Sequence, residues 1–328
     1  MHQEIKNTSS YSKNLTVLCI SSALFGLGCV MLGYLFLPFA AASYAMLLHY
    51  EKKSLRIFSY VIPVAIFVIN VLLNSVILNN FFSHEGIFYV IIGALLYHLN
   101  EKKKSKRETV FYLTLTLSAL LIFSLFSIGF SANSSLSFSS LRAFYSGTYD
   151  KVKRIFIELV SSISTADESG NLFFIFTRDN AENIFHGFLL SIPSYLLIIA
   201  FFLTGLTYKF YDFYRIRFFS KKKEEFERFV PSKFLAYSYI AVAILSLLSS
   251  SGNDVFAITI QNVNTFLMFV FAYTGLTVAY TIFKIARGPL FATALIVFAF
   301  LFLASNALLI LSFFGVFFAI SSSRAKEN

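Results

Sequence analysis

Five amide side chains within apolar segments are the residues of this sequence best suited to bind a polar group. Asn70 and Asn74 lie four positions apart, so a helix would carry both on one face. Gln261, Asn262 and Asn264 cluster in a later apolar segment. Uncharged amides cannot relay protons, but they hydrogen-bond either a small polar ligand or another helix. The sequence leaves both interpretations open, a ligand site and bonding between helices.

The same segments lack the charged side chains and motifs that enzymes use for catalysis. Eight stretches of 15 to 37 residues contain none of the 27 Lys and Arg or the 17 Asp and Glu. The sequence has no HExxH, GxSxG or phosphate-binding P-loop motif. Proton or sodium coupling generally uses a carboxylate within the membrane. We therefore predict that the protein is not an enzyme and holds no cofactor.

Neither histidines nor cysteines suggest a metal site. His98 and His186 lie at the ends of apolar segments, where a partly hydrated imidazole is common. Cys19 and Cys29 are ten positions apart on one predicted helix, too far to form a disulfide. The net charge of +10 is not accompanied by a basic and aromatic motif, so no nucleic-acid partner is expected.

The elements that position these residues are predicted to be membrane helices. The chain is 57% hydrophobic and 13% charged, and a charge in hydrocarbon costs several kcal/mol, so charges are confined to loops. A crossing takes about 20 apolar residues, which predicts an all-α bundle of about 8–10 membrane segments. Gly33 and Pro38 divide the first stretch, and Ser305-Asn306 could turn the last one into a hairpin. The predicted spans cover 15–32, 34–49, 57–78, 87–99, 110–130, 184–206, 234–248, 255–283 and 289–320.

Loop charges predict the orientation of the chain. Residues 101–108 carry five basic and two acidic side chains, and residues 209–233 carry eight and four. Residues 131–182, on the opposite side, carry five basic and six acidic. Positive loops stay in the cytoplasm, so we expect a multi-pass protein of the bacterial cytoplasmic membrane with a cytoplasmic N-terminus. The side of the C-terminus stays open.

This orientation divides the chain into three predicted regions. Residues 1–130 form a five-span region, 131–183 an external segment, and 184–328 a second membrane region with a basic loop at 208–233. Apolar residues recur at helical spacing in the external segment, which predicts an amphipathic helix on the membrane, capping the bundle or acting as a lid. They are Val152, Ile155, Phe156, Leu159, Val160 and Ile163. The basic loop could meet lipid or dock a cytoplasmic partner.

Three short patterns resemble the YybS-like family of bacterial multi-spanning membrane proteins. They are the segment Leu35–Arg56 with its Pro-Phe pair and basic turn, the segment Glu224–Ile240 with Phe226, Phe229 and Pro231, and an Asn262…Gly275-Leu276 helix followed by Gly315 and Arg324. The chain has Thr274 where that family usually has Gln, and Phe318 and Ser322 where it has Asp.

The N-terminal half of that family is loosely similar to the substrate-binding S components of energy-coupling-factor transporters. That likeness implies that small residues of the first helix, Ser22, Ala23, Gly26 and Gly33, pack against a partner membrane protein. It also implies that amides such as Asn70 and Asn262 face a small-molecule ligand.

Two functions follow from these observations. The first is a small-molecule-binding transport component, or an accessory to one, with an amide-lined interior. The second is a non-transporting scaffold that docks envelope proteins, because coupling residues are absent and charge is concentrated in the loop at 208–233. Membrane lipids are expected partners in both cases.

Overall fold

The structure, a computed structural model, describes residues 2–49, 57–73, 85–132, 138–165, 178–219, 230–249 and 255–324. These residues form α-helices and one short 3-10 turn, so the chain is all-α as predicted. The helices are α1 (His2–Leu32), α2 (Leu37–Leu48), α3 (Phe58–Leu73), α4 (Glu85–Glu101), α5 (Lys106–Ala132), α6 (Phe138–Thr165), α7 (Arg178–Leu190), α8 (Ile192–Phe219), α9 (Lys233–Leu248), α10 (Val255–Arg287) and α11 (Pro289–Arg324).

Contacts between residues divide the chain into two compact units. Unit 1 comprises Met1–Phe185 and Ile199–Glu225, and unit 2 comprises His186–Ile198 and Phe226–Asn328. Helix α8 therefore begins in unit 2 and ends in unit 1. The predicted regions 1–130, 131–183 and 184–328 refer to sides of a membrane, and that division stays a prediction.

Four described helices are long and apolar enough to cross a bilayer. They contain the spans Asn14–Met31, Lys106–Ser127, Ile192–Phe218 and Val255–Arg287. Shorter apolar helices of 10–17 residues fill most of the other predicted spans. The described helices therefore form the helical membrane bundle that the charge-free stretches predict. A short helix can cross at different tilts, so its length does not determine how it crosses.

Helix boundaries follow glycine and proline, with three departures from the predictions, one of which is that α8 continues to Phe219, into the predicted basic loop 208–233. Gly33 has a φ of +67° in the 3-10 turn between α1 and α2, as its position before Pro38 predicts. The predicted span 184–206 is instead broken at Ser191, because Pro193 lies in the first turn of α8. The hairpin considered at Ser305-Asn306 is not formed, since α11 continues through it.

Each unit has its own packed centre. In unit 1, α4 lies close to α2, because Gly93 leaves room for the carbonyl oxygen of Ala41. In unit 2, α9, α10 and α11 surround Phe271, whose ring stacks on Tyr239 at 5.2 Å between centroids. The Tyr239 hydroxyl lies 3.1 Å from the Ser312 hydroxyl, so this buried phenol is hydrogen-bonded.

Candidate functional site

The small residues of α1 face other helices of unit 1. Ser22 and Gly26 lie one turn apart, and both are buried. A Cβ at Gly26 would overlap the Ile66 side chain of α3 and would lie 3.3 Å from the Tyr89 hydroxyl oxygen of α4. The close approach that this spacing predicts is thus made by α3 and α4 of the same chain. Packing of a separate protein against α1 stays a prediction.

Two hydroxyl groups at this contact have no hydrogen-bond partner among the described residues. They are Ser22 Oγ and the Tyr89 hydroxyl, and both side chains are completely buried. A buried polar group without a partner costs about 1–3 kcal/mol, and such groups are rare in native interiors. We refer to Ser22 and Tyr89, with Gly26 beside them, as the hydroxyl site.

Asn70 lies close to the hydroxyl site along α3. It is one turn after Ile66, the residue that contacts Gly26, and its side chain is completely buried. The structure thus places one of the predicted ligand amides on the face of α3 that packs against α1. Asn74, its predicted companion, lies outside the described residues.

The neighbours of the hydroxyl site are aromatic and small. The ring of Tyr44 meets that of Tyr89 edge to face, with centroids 5.9 Å apart. Cys29, one turn beyond Gly26 on α1, is buried and forms no disulfide. No ionisable carboxylate or ammonium group lies on the described parts of α1, α2 and α3 from Asn14 to Leu48 and from Phe58 to Leu73. The site can therefore offer hydrogen bonds and shape to a ligand, but no ion pair from these helices.

Asn262 bridges two helices in unit 2. Its Oδ1 accepts a hydrogen bond from the Ser194 backbone N–H at 3.0 Å, and its Nδ2 donates to the Leu190 carbonyl at 2.7 Å. Nδ2 also donates to the Ile258 carbonyl at 2.9 Å. The amide thus joins α10 to the break between α7 and α8, where Pro193 has removed a backbone donor.

The two other candidate amides of α10 lie in different surroundings. Gln261 is exposed, whereas Asn264 is partly buried between Ile260 and Leu267 on the packed face of the helix. The Asn264 Oδ1 atom is buried and has no hydrogen-bond partner among the described residues. The three amides therefore do not converge on one point, and a ligand role for them stays a prediction.

Ala23 and Gly33 complete the set of small residues predicted to face a partner. Ala23 is partly buried. A Cβ added to Gly33 would have no atom within 4 Å, and the left-handed φ of this residue fixes the turn after α1. Gly33 therefore serves the end of a helix rather than a close contact between helices, since L-residues rarely adopt this φ.

A second polar cluster lies where α2, α4 and α8 end together in unit 1. His49 Nε2 is 2.5 Å from the Tyr211 hydroxyl, and His49 Nδ1 is 3.5 Å from the Glu101 carboxylate. Asn100 Nδ2 lies 3.5 Å from Nε2, and the Tyr97 ring meets the imidazole edge to face at 4.8 Å. A neutral imidazole that donates from Nδ1 to Glu101 can accept a hydrogen bond from the Tyr211 hydroxyl at Nε2.

This polar cluster could not be found from spacing in the sequence. His49 and Tyr211 are 162 positions apart; His49 ends an apolar segment, whereas Tyr211 lies in the predicted basic loop at 208–233. The sequence offered one signal, the position of His49 and Asn100 at the ends of apolar segments. Each is followed within two residues by the Glu that begins a charged loop. Only the packing of α8 beside α2 shows that the imidazole has a buried phenol as its partner.

Two glycines of the sequence patterns meet in unit 2. A Cβ at Gly275 of α10 would overlap the Leu311 carbonyl oxygen of α11, and one at Gly315 would overlap the Phe271 carbonyl oxygen. Each such Cβ would also lie 3.1 Å from the backbone nitrogen of the other glycine. The pairing of 275 with 311 and of 271 with 315 makes the two helices antiparallel at this crossing.

Comparison with known families identifies the group to which this arrangement belongs. A family described as "Predicted membrane protein (DUF2232)" matches residues 15–317 of the 328. The chain belongs to the DUF2232 family. No curated protein and no solved structure matches it.

The matched range of this DUF2232 protein contains both polar sites and the glycine crossing. It extends from the first membrane helix to Phe317 in α11. The family description agrees with membrane placement and says nothing of a ligand, a partner or a reaction. Function must therefore be argued from the sites of the DUF2232 chain itself.

Proposed function

We propose that this DUF2232 protein is a small-molecule-binding component of a membrane transport system, with its ligand held at the hydroxyl site. The single observation that carries the proposal is the pair of buried hydroxyls, Ser22 and Tyr89, that lack a hydrogen-bond partner among the described residues. A polar ligand between α1 and α4 would satisfy both groups. The resemblance to S components adds support through Asn70 of α3, because it implies that this amide faces a small-molecule ligand.

The chemistry of the site suggests the class of ligand. Hydroxyl and amide groups, from Ser22, Tyr89 and Asn70, donate and accept hydrogen bonds, and the neighbouring Tyr44 offers an aromatic edge. The parts of α1, α2 and α3 from Asn14 to Leu48 and from Phe58 to Leu73 provide no charged group for an ion pair. We infer an uncharged ligand that combines polar groups with an apolar or aromatic body, bound without any bond-making step.

The proposal includes a place in the cell. We infer that the protein lies in the bacterial cytoplasmic membrane with its N-terminus in the cytoplasm, as the loop charges favour. Transport through such a component would depend on a partner, because the charge-free stretches of the sequence contain no carboxylate for ion coupling. The scaffold hypothesis shares the membrane location but requires no ligand at the hydroxyl site.

The test is native mass spectrometry of the protein purified in mild detergent, followed by identification of the small molecules released. We expect a bound small molecule that is not a phospholipid. S22A and Y89F should each lower its occupancy about tenfold at limiting ligand, because each removes one hydrogen bond worth about 1–1.5 kcal/mol. S43A is the matched control, since Ser43 is equally buried but already donates to the Ala40 carbonyl at 3.0 Å.

Two outcomes would overturn this proposal. One is a protein that releases only phospholipid while S22A and Y89F melt at or above the wild-type temperature, as expected when the two hydroxyls are merely unsatisfied. The other is a ligand whose occupancy falls as much in S43A as in S22A. Recovery of a stoichiometric protein partner without any small molecule would favour the scaffold instead.

A further inference from the structure

Helix α6 has a face that packs on its own unit. The rings of Tyr149 and Phe156 lie 5.5 and 5.4 Å from the ring of Phe185 in α7. Lys153, on the same side, forms an ion pair with Glu182 at 3.2 Å. These contacts fix the rotation of α6 about its own axis, because three side chains spread over two turns all meet α7.

A second face of α6 is apolar but exposed. Val152, Ile155 and Leu159 are 47%, 62% and 55% exposed, and all three lie at helical spacing. At about 100° per residue, they form a strip beside Phe156 and Tyr149, on one flank of the packed face. The predicted companions Val160 and Ile163 have side chains outside the described residues. Large contiguous apolar surface of this kind marks a contact with lipid or protein.

A third face of α6 is charged. Asp150, Lys151, Arg154 and Glu158 are exposed, and the same rotation places them on the far side of the strip. Around the helix, the order is therefore packed face, apolar strip, charged face. A helix that lies in a membrane interface beside its own bundle needs three such faces. One contacts the bundle, one contacts lipid and one faces water.

The start of α6 is attached to the end of a membrane span. The Tyr145 hydroxyl donates a hydrogen bond to the carbonyl of Leu125 in α5. Leu125 lies in the last third of α5, within its apolar span. Phe123 and Phe126 beside it are large and exposed, so they belong to the lipid-facing surface of that span. The apolar strip of α6 thus begins near the edge of a surface that already faces hydrocarbon.

We propose that α6 is an interfacial helix whose apolar strip, Val152, Ile155 and Leu159, lies among the lipid chains of one membrane leaflet; that this is the outer leaflet rests on the proposed orientation. Lipid is favoured over a protein partner by the charged face that borders the strip, where Lys151 and Arg154 can reach lipid phosphates while their stems cover the acyl chains. Continuity with the exposed aromatic end of α5 favours it too. The inference is independent of ligand binding at the hydroxyl site.

The absence of tryptophan from the sequence makes this proposal simple to test. Single-tryptophan variants V152W, I155W and L159W report on the strip, and S146W and D150W are controls at exposed positions of the same helix that its rotation places away from the strip. Each full-length variant is reconstituted into phosphatidylcholine vesicles, with or without brominated acyl chains. Far-ultraviolet circular dichroism and the melting temperature in detergent check that each variant folds like the wild type.

The proposal expects strip variants with blue-shifted emission that brominated lipid quenches at least twofold more than it quenches the controls. Equal quenching of D150W and I155W would overturn it, because contact with lipid would then not differ between the apolar strip and the charged face. Blue-shifted emission without quenching would also overturn it, since protein rather than lipid would cover the strip. Three strip positions are used so that the failure of one variant to fold does not leave the proposal without a result.

Discussion

At the scale of single residues, Asn262 shows how an uncharged amide acts inside a helical membrane protein. Its three hydrogen bonds reach the backbone of Leu190, Ser194 and its own helix at Ile258. The carbonyl of residue 190 and the N–H of residue 194 flank a helix break, where no intrahelical partner is available. The side chain therefore replaces the hydrogen bonds that Pro193 interrupts.

We predict that N262A destabilises the protein by about 1–3 kcal/mol, because it leaves a buried backbone donor and acceptor without partners. Thermal unfolding in detergent, followed by circular dichroism, measures the change. Q261A is the control, since Gln261 is the preceding residue and is exposed. It should shift stability by less than about 0.5 kcal/mol. If N262A lowered the stability no more than Q261A does, the hydrogen bonds of Asn262 would contribute nothing measurable to stability.

At the scale of elements, the contact between α10 and α11 depends on the absence of two side chains. Gly275 and Gly315 face one another, so the backbones touch at the crossing. Small residues at such contacts allow van der Waals packing between membrane helices, where the hydrophobic effect contributes little. Thr274 and Ser312 beside them are buried and bond to carbonyls of their own helices, which adds no bulk between the helices.

We predict that G275A destabilises the helix pair by about 1–3 kcal/mol or more, because the new methyl group meets backbone that cannot move without separating the helices. The control is G205A in α8, where a Cβ would have no atom within 4 Å. That change should be neutral or stabilising by up to about 1 kcal/mol, since alanine favours helix over glycine. The melting temperatures of both variants in detergent test this prediction. A larger loss of stability in G205A than in G275A would contradict the close contact between Gly275 and Gly315.

At the scale of the whole molecule, contacts within unit 1 support the alternation of loop charges. Asn14 of α1 bonds to the Phe218 carbonyl of α8, and His49 meets Glu101 and Tyr211. All these residues border loops predicted to be cytoplasmic. The contacts of Tyr34 with Ser124 and of Tyr145 with Leu125 join ends predicted to be external. Unit 1 therefore keeps the two sets of ends apart, whichever side faces the cytoplasm.

We predict that K102C and T148C label on opposite sides of the membrane. In intact cells a membrane-impermeant maleimide should react with T148C in the external helix, and with K102C only after permeabilisation. Both positions are exposed, and the native Cys19 and Cys29 are partly or fully buried within α1, so the wild-type chain provides the background. Labelling of K102C alone in intact cells would reverse the orientation.

Much of this architecture was predictable because each signal is local along the chain. Gly33 with Pro38 marked the first helix break, and the apolar spacing from Val152 to Leu159 marked α6. The break at Ser191 was missed because Pro193 is compatible both with a kink and with the first turn of a new helix. The hydroxyl site was missed because serine and tyrosine are common in membrane helices, and nothing local reveals whether such a hydroxyl has a partner.

The sequence by itself determined that the chain is a helical membrane protein with long charge-free segments, since exclusion of charge from hydrocarbon acts on every residue separately. Only the tertiary structure decided which polar residues meet. It placed Gly26 beside Tyr89, gave His49 a partner in Tyr211, and joined Asn262 to the backbone groups at a helix break. The physical reason is that a hydrogen bond requires two groups within about 3 Å, and helices distant in sequence supply them.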